Sequence, residues 1–251
     1  MKIALYADDL VMWCTDQSAA IATYRLQQAV DKLHAWTEDW GVKINKEKSS
    51  ITLFTLSTVK RPGTVTLGQT PLKEENEVTY LGVTFDKRHT WRPHLEKAET
   101  RARLKLAMLR KLAGSNWGSN NRVLRTVYQG SIRPVLEYGS TAWSTSKKTN
   151  LKLLDNVQNQ ALRIITGSMR STHTQQLEKH AKVQPLSQRR ELSNQLQADK
   201  FCSLRKHPMK KKLEGLTKNR LKRGSFVHEH KKSFKKDRDL PPPRRSDGAA
   251  P

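Results

Sequence analysis

Apolar positions follow two different periods along this chain, and the change falls near residue 91. Before it, short apolar runs and alternation predominate. Ile3-Ala4-Leu5-Tyr6 and Leu10-Val11-Met12-Trp13 flank Ala7-Asp8-Asp9. Aspartate favours turns, so residues 2–13 are predicted to form a β-hairpin with that tripeptide as its turn. Leu26, Ala29, Val30, Leu33, Trp36 and Trp40 then recur at intervals of three and four. That spacing predicts an amphipathic helix with Ser18 as its N-cap and Gly41 as its stop. Strands are expected over Ser50–Leu56 and Thr64–Leu67, the second turned back by Gly68-Gln69 toward Leu72. Val78–Phe85 is expected to be a further strand, with Gly82 marking a bulge or a close backbone approach.

Beyond Trp91 the period becomes helical. His94–Leu112 is predicted to be a helix carrying Leu104, Met108 and Leu112 at spacing four beside a dense basic face. Asn121–Ile132 is predicted to be another, stopped by Pro134. Leu151–Thr166 is a third, with Leu154, Val157, Ala161, Leu162 and Ile165 on one side and Gly167 closing it. Pro185 opens a fourth, Leu186–Leu204. From Lys206 the periodicity fades into lysine and proline runs, a tail expected to be disordered when free. The fold class is α+β. Residues 1–90 read as an antiparallel sheet with one packed helix, 91–205 as all-helical, and 206–251 as a basic tail.

Composition adds a partner class. The 251 residues contain 47 Lys and Arg against 23 Asp and Glu, a net charge of +24. Residues 201–251 hold 16 of the basic residues and 5 of the acidic ones. Mean hydropathy is −0.75. A chain this basic repels itself unless it meets a polyanion, and nucleic acid is the usual one. Arg101, Arg103, Lys105, Arg110 and Lys111 share one predicted helix and are candidates for backbone-directed, sequence-independent binding. Basic runs such as Lys210-Lys211-Lys212 and Arg244-Arg245 suit a nucleic-acid arm, a nuclear-import signal or a merely solvated tail. Cys14 and Cys202 give neither a disulfide framework nor a zinc spacing, so no disulfide-linked partner is expected. No signal peptide and no membrane-spanning run are visible. A nuclear or cytoplasmic, non-secreted protein without a membrane partner is expected.

The aspartate turn carries the candidate chemistry. Nucleotidyl transfer uses two divalent metals, one activating the attacking hydroxyl and one holding the leaving phosphates. Hard oxygen ligands suit Mg²⁺. Two aspartates at the tip of a tight hairpin present carboxylates where metal and triphosphate can reach. The bland alternative is an ordinary Asp-Asp turn.

The chain resembles the reverse transcriptases of non-LTR, jockey-like retrotransposons. Ile3-Ala4-Leu5-Tyr6-Ala7-Asp8-Asp9-Leu10-Val11-Met12-Trp13 is similar to their catalytic palm hairpin. Trp40 to Ser49, with Gly41, Asn45 and Lys48, resembles the motif that follows it. Tyr80-Leu81-Gly82-Val83 resembles the primer-grip strand, and Trp91-Arg92-Pro93-His94-Leu95 the entry to the thumb. Leu136-Glu137-Tyr138-Gly139 and Gln158-Asn159-Gln160-Ala161-Leu162-Arg163 resemble thumb helices. These motifs fall in the family's order over about residues 2–205.

The resemblance implies a partial polymerase palm, a helical thumb and an RNA-directed DNA polymerase ancestry. It implies Asp8 as a Mg²⁺ ligand and Asp9 as its less directly bound neighbour. Lys48 would sit near the incoming deoxynucleoside triphosphate, and Tyr80, Leu81 and Gly82 near the primer end. An RNA/DNA template-primer would be the macromolecular partner. The family's palm also uses an aspartate on an earlier strand, together with fingers. A chain starting five residues before Tyr6 is expected to hold neither, nor an upstream endonuclease, and nothing resembles RNase H motifs. The expectation is a fragment from a truncated or decayed copy, inactive alone. Its alternatives are a non-enzymatic nucleic-acid-binding module and a non-functional pseudogene product.

Overall fold

A computed structural model describes residues 1–57, 63–114, 118–214 and 226–227. The chain divides into two units, Met1–His94 and Leu95–Pro251. The architecture is mixed: small sheets in the first unit, helices in the second.

In the first unit, β1 (Lys2–Tyr6) pairs antiparallel with β2 (Asp9–Trp13). Helix α1 (Ala19–Asp39) begins after Ser18, whose side chain makes no capping hydrogen bond. It ends as a Schellman turn. Gly41 stands at φ +65°, its N–H donates to Glu38 O (3.2 Å), and Val42 N–H donates to Thr37 O (2.9 Å). A β-carbon is disfavoured at that φ, which is why a glycine ends this helix.

Four short pieces follow: β3 (Ser50–Ile51), β4 (Thr66–Leu67), β5 (Thr70–Pro71) and β6 (Lys73–Glu74). β4 and β5 form the hairpin expected around Gly68-Gln69, while β3 runs parallel to β6. The strand expected over Ser50–Leu56 is only two residues long, because β6 offers only Lys73 and Glu74 as ladder partners. Past it, Thr52 Oγ1 and Thr55 N–H find isolated carbonyls, Glu75 O and Lys87 O.

β7 (Glu77–Tyr80) and β8 (Val83–Asp86) correct another expectation. They are two strands, not one with a bulge. Leu81 (φ 46°) and Gly82 (φ 74°) form a two-residue loop between Tyr80 and Val83. Positive φ at both loop positions is the signature of a type I′ hairpin turn. The sheet expected over residues 1–90 is therefore four separate two-stranded pieces.

The core of this unit is Val30, Val65 and Leu67, packed by Met12, Leu26, Ile44, Ile51 and Leu72. Gln27 of α1 binds the backbone of β4 like a neighbouring strand. Its Oε1 accepts from Thr66 N–H (2.8 Å), and its Nε2 donates to Thr66 O (2.9 Å).

Helix α2 (Arg92–Leu112) carries the chain into the second unit. Its buried stripe is Leu95, Ala98, Ala102, Leu106 and Leu109. Leu104 and Met108 are exposed (69% and 66%), so the apolar face expected from their spacing points outward.

Pro134 does not stop the next helix. α3 (Asn121–Val127), capped by the Asn120 side chain on Val123 N–H, runs into a π-helical turn over Tyr128–Ile132. α4 (Arg133–Glu137) continues from it, with Pro134 in its first turn. Arg133 N–H donates to Tyr128 O, five residues back, in the pattern of a widened turn, and the proline stands at the start of the next helix, where an N–H is least needed.

α5 (Ser140–Trp143), α6 (Lys148–Thr166), α7 (Thr174–Ala181), α8 (Leu186–Ser203) and α9 (Pro208–Glu214) complete the order. The five apolar positions expected to face inward on α6 are all buried, and Gly167 closes it at φ 66°. α5, α7 and α9 are additions. α9 lies within the stretch read as tail, and most of the rest of that tail lies outside the described residues. Trp143 is fully buried, with Nε1 donating to Tyr138 O (3.0 Å). Tyr128 Oη donates to Gln158 Oε1 (2.6 Å), and Gln158 Nε2 reaches Gln184 O (3.3 Å). Burial, reinforced by the charge of Glu137, pushes the Tyr128 hydroxyl well above the ordinary phenol range. Arg189 forks onto Glu137, with Nη2 to Oε2 at 2.9 Å, and joins α8 to α4.

Candidate active site and basic helix

The β1–β2 register pairs Tyr6 with Asp9. The hairpin loop is therefore Ala7-Asp8 alone, and Asp9 is the first residue of β2 rather than part of the turn. Ala7 stands at φ 51°, a left-handed conformation that β-carbons disfavour. Asp8 and Asp9 are both exposed. Neither carboxylate has a hydrogen bond or ion pair among the described residues. Ile3 and Leu5 of β1 are 57% and 69% exposed, and among the described residues β1 and β2 pair only with each other.

Lys48 lies in a turn closed by its own N–H on Asn45 Oδ1 (3.1 Å). Its ammonium forms no ion pair with Asp8 or Asp9 among the described residues. Tyr80 ends β7, and Leu81 and Gly82 are the loop that turns the hairpin. Asp86, at the end of β8, is committed to the backbone. Its carboxylate accepts from Thr90 N–H (2.9 Å) and Trp91 N–H (2.8 Å). Burial works to raise its pKa, but these amide donors outweigh that and hold it below the ordinary value. His89 stacks on Phe54 with ring centroids 4.6 Å apart, and burial pushes its pKa down. His94 Nδ1 accepts from Thr84 N–H (3.2 Å).

Among the described residues, no group of three or more His, Cys, Asp or Glu side chains could hold a metal. Asp8 and Asp9 suit a Mg²⁺ bound through one or two carboxylates with water and phosphate filling the other positions. They do not by themselves make a two-metal centre. Both cysteines are free thiols. No helix among the described residues is long and apolar enough to cross a membrane.

The five basic candidates all lie on α2, but they do not share one face. Arg103 and Arg110, seven residues apart, stand on one side, two turns from each other. Arg103 is bound to Glu99 Oε1 through Nη2 (2.6 Å) and Nε (2.8 Å). Lys105 is half-buried, with Nζ donating to Ser131 O (3.0 Å). Arg101 Nε makes a long contact with Lys97 O (3.4 Å). Lys111 is exposed. Arg103 and Arg110 line a common cleft with Arg163 of α6 and with Arg170 beyond it. Those last two were not among the sequence candidates. Arg163 did lie in the motif Gln158 to Arg163, but nothing local to it showed that it would meet α2.

Residues 1–85 match the family model described as reverse transcriptase (RNA-dependent DNA polymerase). The segment that carries the exposed aspartate hairpin thus lies within the region that the family model matches. More narrowly, the chain is homologous to RNA-directed DNA polymerases of jockey-like and other non-LTR retrotransposons. It is 33% identical over 167 residues to the probable RNA-directed DNA polymerase from transposon BS of Drosophila melanogaster, covering 65% of this chain and 18% of that protein. It is 29% identical over 184 residues to the RNA-directed DNA polymerase from mobile element jockey of the same organism, covering 73% and 20%. It is 28% identical over 165 residues to the probable RNA-directed DNA polymerase from transposon X-element, also of Drosophila melanogaster, covering 66% and 18%. The chain thus spans about a fifth of the length of these curated relatives. No solved structure matches. Reverse transcriptases generally use divalent metal ions.

Proposed function

We propose that the chain contributes the catalytic turn and the nucleic-acid grip of an RNA-directed DNA polymerase, and that it binds a template-primer but does not extend one unaided. The observation that carries this reading is the Tyr6–Asp9 hairpin. Two exposed carboxylates, Asp8 in the two-residue turn and Asp9 at the start of β2, have no partner among the described residues and lie inside the segment that matches the reverse transcriptase model. In this reading Asp8 and Asp9 would hold Mg²⁺, which would neutralise charge on the transferring phosphate. Lys48 would lie toward the incoming triphosphate, and Tyr80, Leu81 and Gly82 toward the primer end. Residues 1–90 would be the C-terminal part of the palm, 91–205 the helical thumb and 206–251 a basic tail.

The donor set supports inactivity of the chain by itself. Two carboxylates on one hairpin leave the second metal short of ligands. Primer extension tests this directly, with the chain, an RNA template, a DNA primer, deoxynucleoside triphosphates and Mg²⁺. No incorporation is expected. Incorporation that disappears in Asp8→Ala would show that the chain is a complete catalyst and overturn the inactivity. Failure to bind an RNA–DNA hybrid even at low salt would overturn the template-primer reading itself. A second reading, nucleic-acid binding without any catalytic role, is favoured by the arginine-lined cleft. A version of the chain joined to the rest of a relative's polymerase decides between them: Asp8→Ala abolishes extension under the first reading and leaves it intact under the second.

A further inference from the structure

We propose that the cleft between α2 and the C-terminal end of α6 is a phosphate site that seats one backbone phosphodiester of a bound nucleic acid. This rests on the template-primer reading and gives it a specific anchor. The cleft is open to solvent and has a volume of about 690 Å³. Four arginines line it: Arg103 and Arg110 from α2, Arg163 from α6, and Arg170 from the turn that follows. The rest of the lining is Gln160, Ile164 and Ser168, so no carboxylate faces the four guanidinium groups across it. Among the described residues, Arg103 alone of the four has an acidic partner, Glu99, on its own helix. Like charges that line one cleft repel one another, and an anion between them offsets that cost.

The geometry is built by the end of α6. Gly167 adopts a left-handed conformation and reverses the chain. The reversal is pinned by Thr166 Oγ1 on Ser168 Oγ (2.8 Å) and by Arg163 Nη2 on Arg170 O (3.2 Å). It places Arg170 beside the last turn of the helix. Arg163 Nη1 donates to Asn159 O (3.3 Å), yet its Nε is buried and has no hydrogen-bond acceptor among the described residues. An enclosed, unsatisfied donor is uncommon, because leaving it unmade costs free energy. The guanidinium groups of Arg110 and Arg170 are exposed and have no partner among the described residues. Planar forks of this kind match phosphate oxygens in pairs, which a lysine does not. Ile164 gives the cleft an apolar side that a sugar can cover.

The test uses the full chain and a short fluorescent RNA–DNA hybrid, with anisotropy read across a salt series. Arg110→Ala/Arg170→Ala is expected to weaken binding roughly tenfold and to flatten the log–log salt slope by about one. Arg110→Lys/Arg170→Lys is expected to restore the slope but only part of the affinity. Both side chains are exposed, so unchanged thermal melting is expected and establishes that the variants fold. Arg122→Ala/Lys179→Ala removes the same charge elsewhere on the second unit and should leave the slope nearly unchanged.

Equal losses in that control pair would mean diffuse attraction and overturn the site. So would hybrid binding by the original chain that the cleft variants leave intact, in which case template-primer binding stands and only the anchor falls. No hybrid binding by the original chain removes both. Competition by inorganic phosphate at constant ionic strength separates the two phosphate sources. If phosphate occupies the cleft, as read by ³¹P line broadening lost in the double variant, while hybrid affinity does not depend on these arginines, the site serves a free phosphate and the backbone assignment is wrong.

Discussion

Asp9 stands directly across the hairpin from Tyr6, so only Ala7 and Asp8 span the gap between the strands. That pairing sets the exposure of both carboxylates and forces Ala7 to φ 51°. A left-handed conformation costs an L-residue about 1–2 kcal/mol, part of which glycine gives back through its larger unfolded-state entropy. Ala7→Gly is expected to raise stability by about 0.5–1 kcal/mol, and Ala7→Val to lower it by about 1 kcal/mol or more. Urea unfolding followed by tryptophan fluorescence reads both. A loss of stability in Ala7→Gly would mean the turn is not held as described.

Leu81 offers an independent check on the second hairpin. It occupies the first loop position of a type I′ turn at φ 46°, followed by Gly82. Asn-Gly is the preferred pair for that turn. Leu81→Asn is expected to stabilise the chain by about 1 kcal/mol, whereas Gly82→Ala should destabilise it by a similar amount. If residues 78–85 were instead one continuous strand, Leu81→Asn would weaken it.

Asp86 gives the first unit a definite pH dependence. Its folded pKa lies below the ordinary carboxylate value, because the Thr90 and Trp91 amides that donate to the carboxylate outweigh the cost of its burial. A depressed acid contributes stability that is fully present above its unfolded pKa and is lost as pH falls through the folded one. Stability should therefore drop below about pH 4, and that drop should be shallower in Asp86→Asn. At neutral pH the same substitution is expected to cost about 1–2 kcal/mol, since one carboxylate oxygen becomes a donor facing an amide. An identical acid limb in variant and original would dismiss this role.

Tyr128 tests the interior of the second unit. Its hydroxyl donates to Gln158 Oε1 with both residues buried. Tyr128→Phe strands that oxygen, a loss expected at about 1–3 kcal/mol. Tyr128→Phe with Gln158→Leu should recover part of it, because the pair of polar groups then leaves together. A single variant as stable as the original would show that water reaches the site.

The sequence was legible where one side of an element is uniformly apolar. Leu154, Val157, Ala161, Leu162 and Ile165 are all buried on α6, and Gly41 and Gly167 end their helices as their φ values require. It misled where apolar residues lie on both sides. Leu104 and Met108 share a helical spacing but face outward, while Ala98 and Ala102 hold the buried side. Strand lengths failed for a different reason: a ladder needs a partner, and Ser50–Leu56 has only Lys73 and Glu74. The aspartate turn is local and was read from its own residues. The arginine cleft is not local. It needs α2 beside α6 and a reversal after Gly167, and no spacing within one segment encodes that.

The hairpin's apolar surface leads to the last prediction. The register puts Ile3, Leu5, Leu10 and Met12 on one face of β1–β2. Met12 packs on the Val30 core, but Ile3 and Leu5 are more than half exposed. Both outer edges of the hairpin are unpaired among the described residues. Unpaired backbone beside exposed apolar side chains is a template for edge-to-edge association. The purified chain is therefore expected to self-associate with rising concentration despite its charge of +24. Because like charge opposes that association, added salt should promote it by screening. Leu5→Lys places a charge on the edge strand without touching the core residues, and is expected to shift the chain toward monomer in sedimentation velocity. Arg122→Glu, on helix α3 of the second unit, should not. A chain that is monomeric and soluble at high salt, with Leu5→Lys indistinguishable from it, would mean that these edges are already covered.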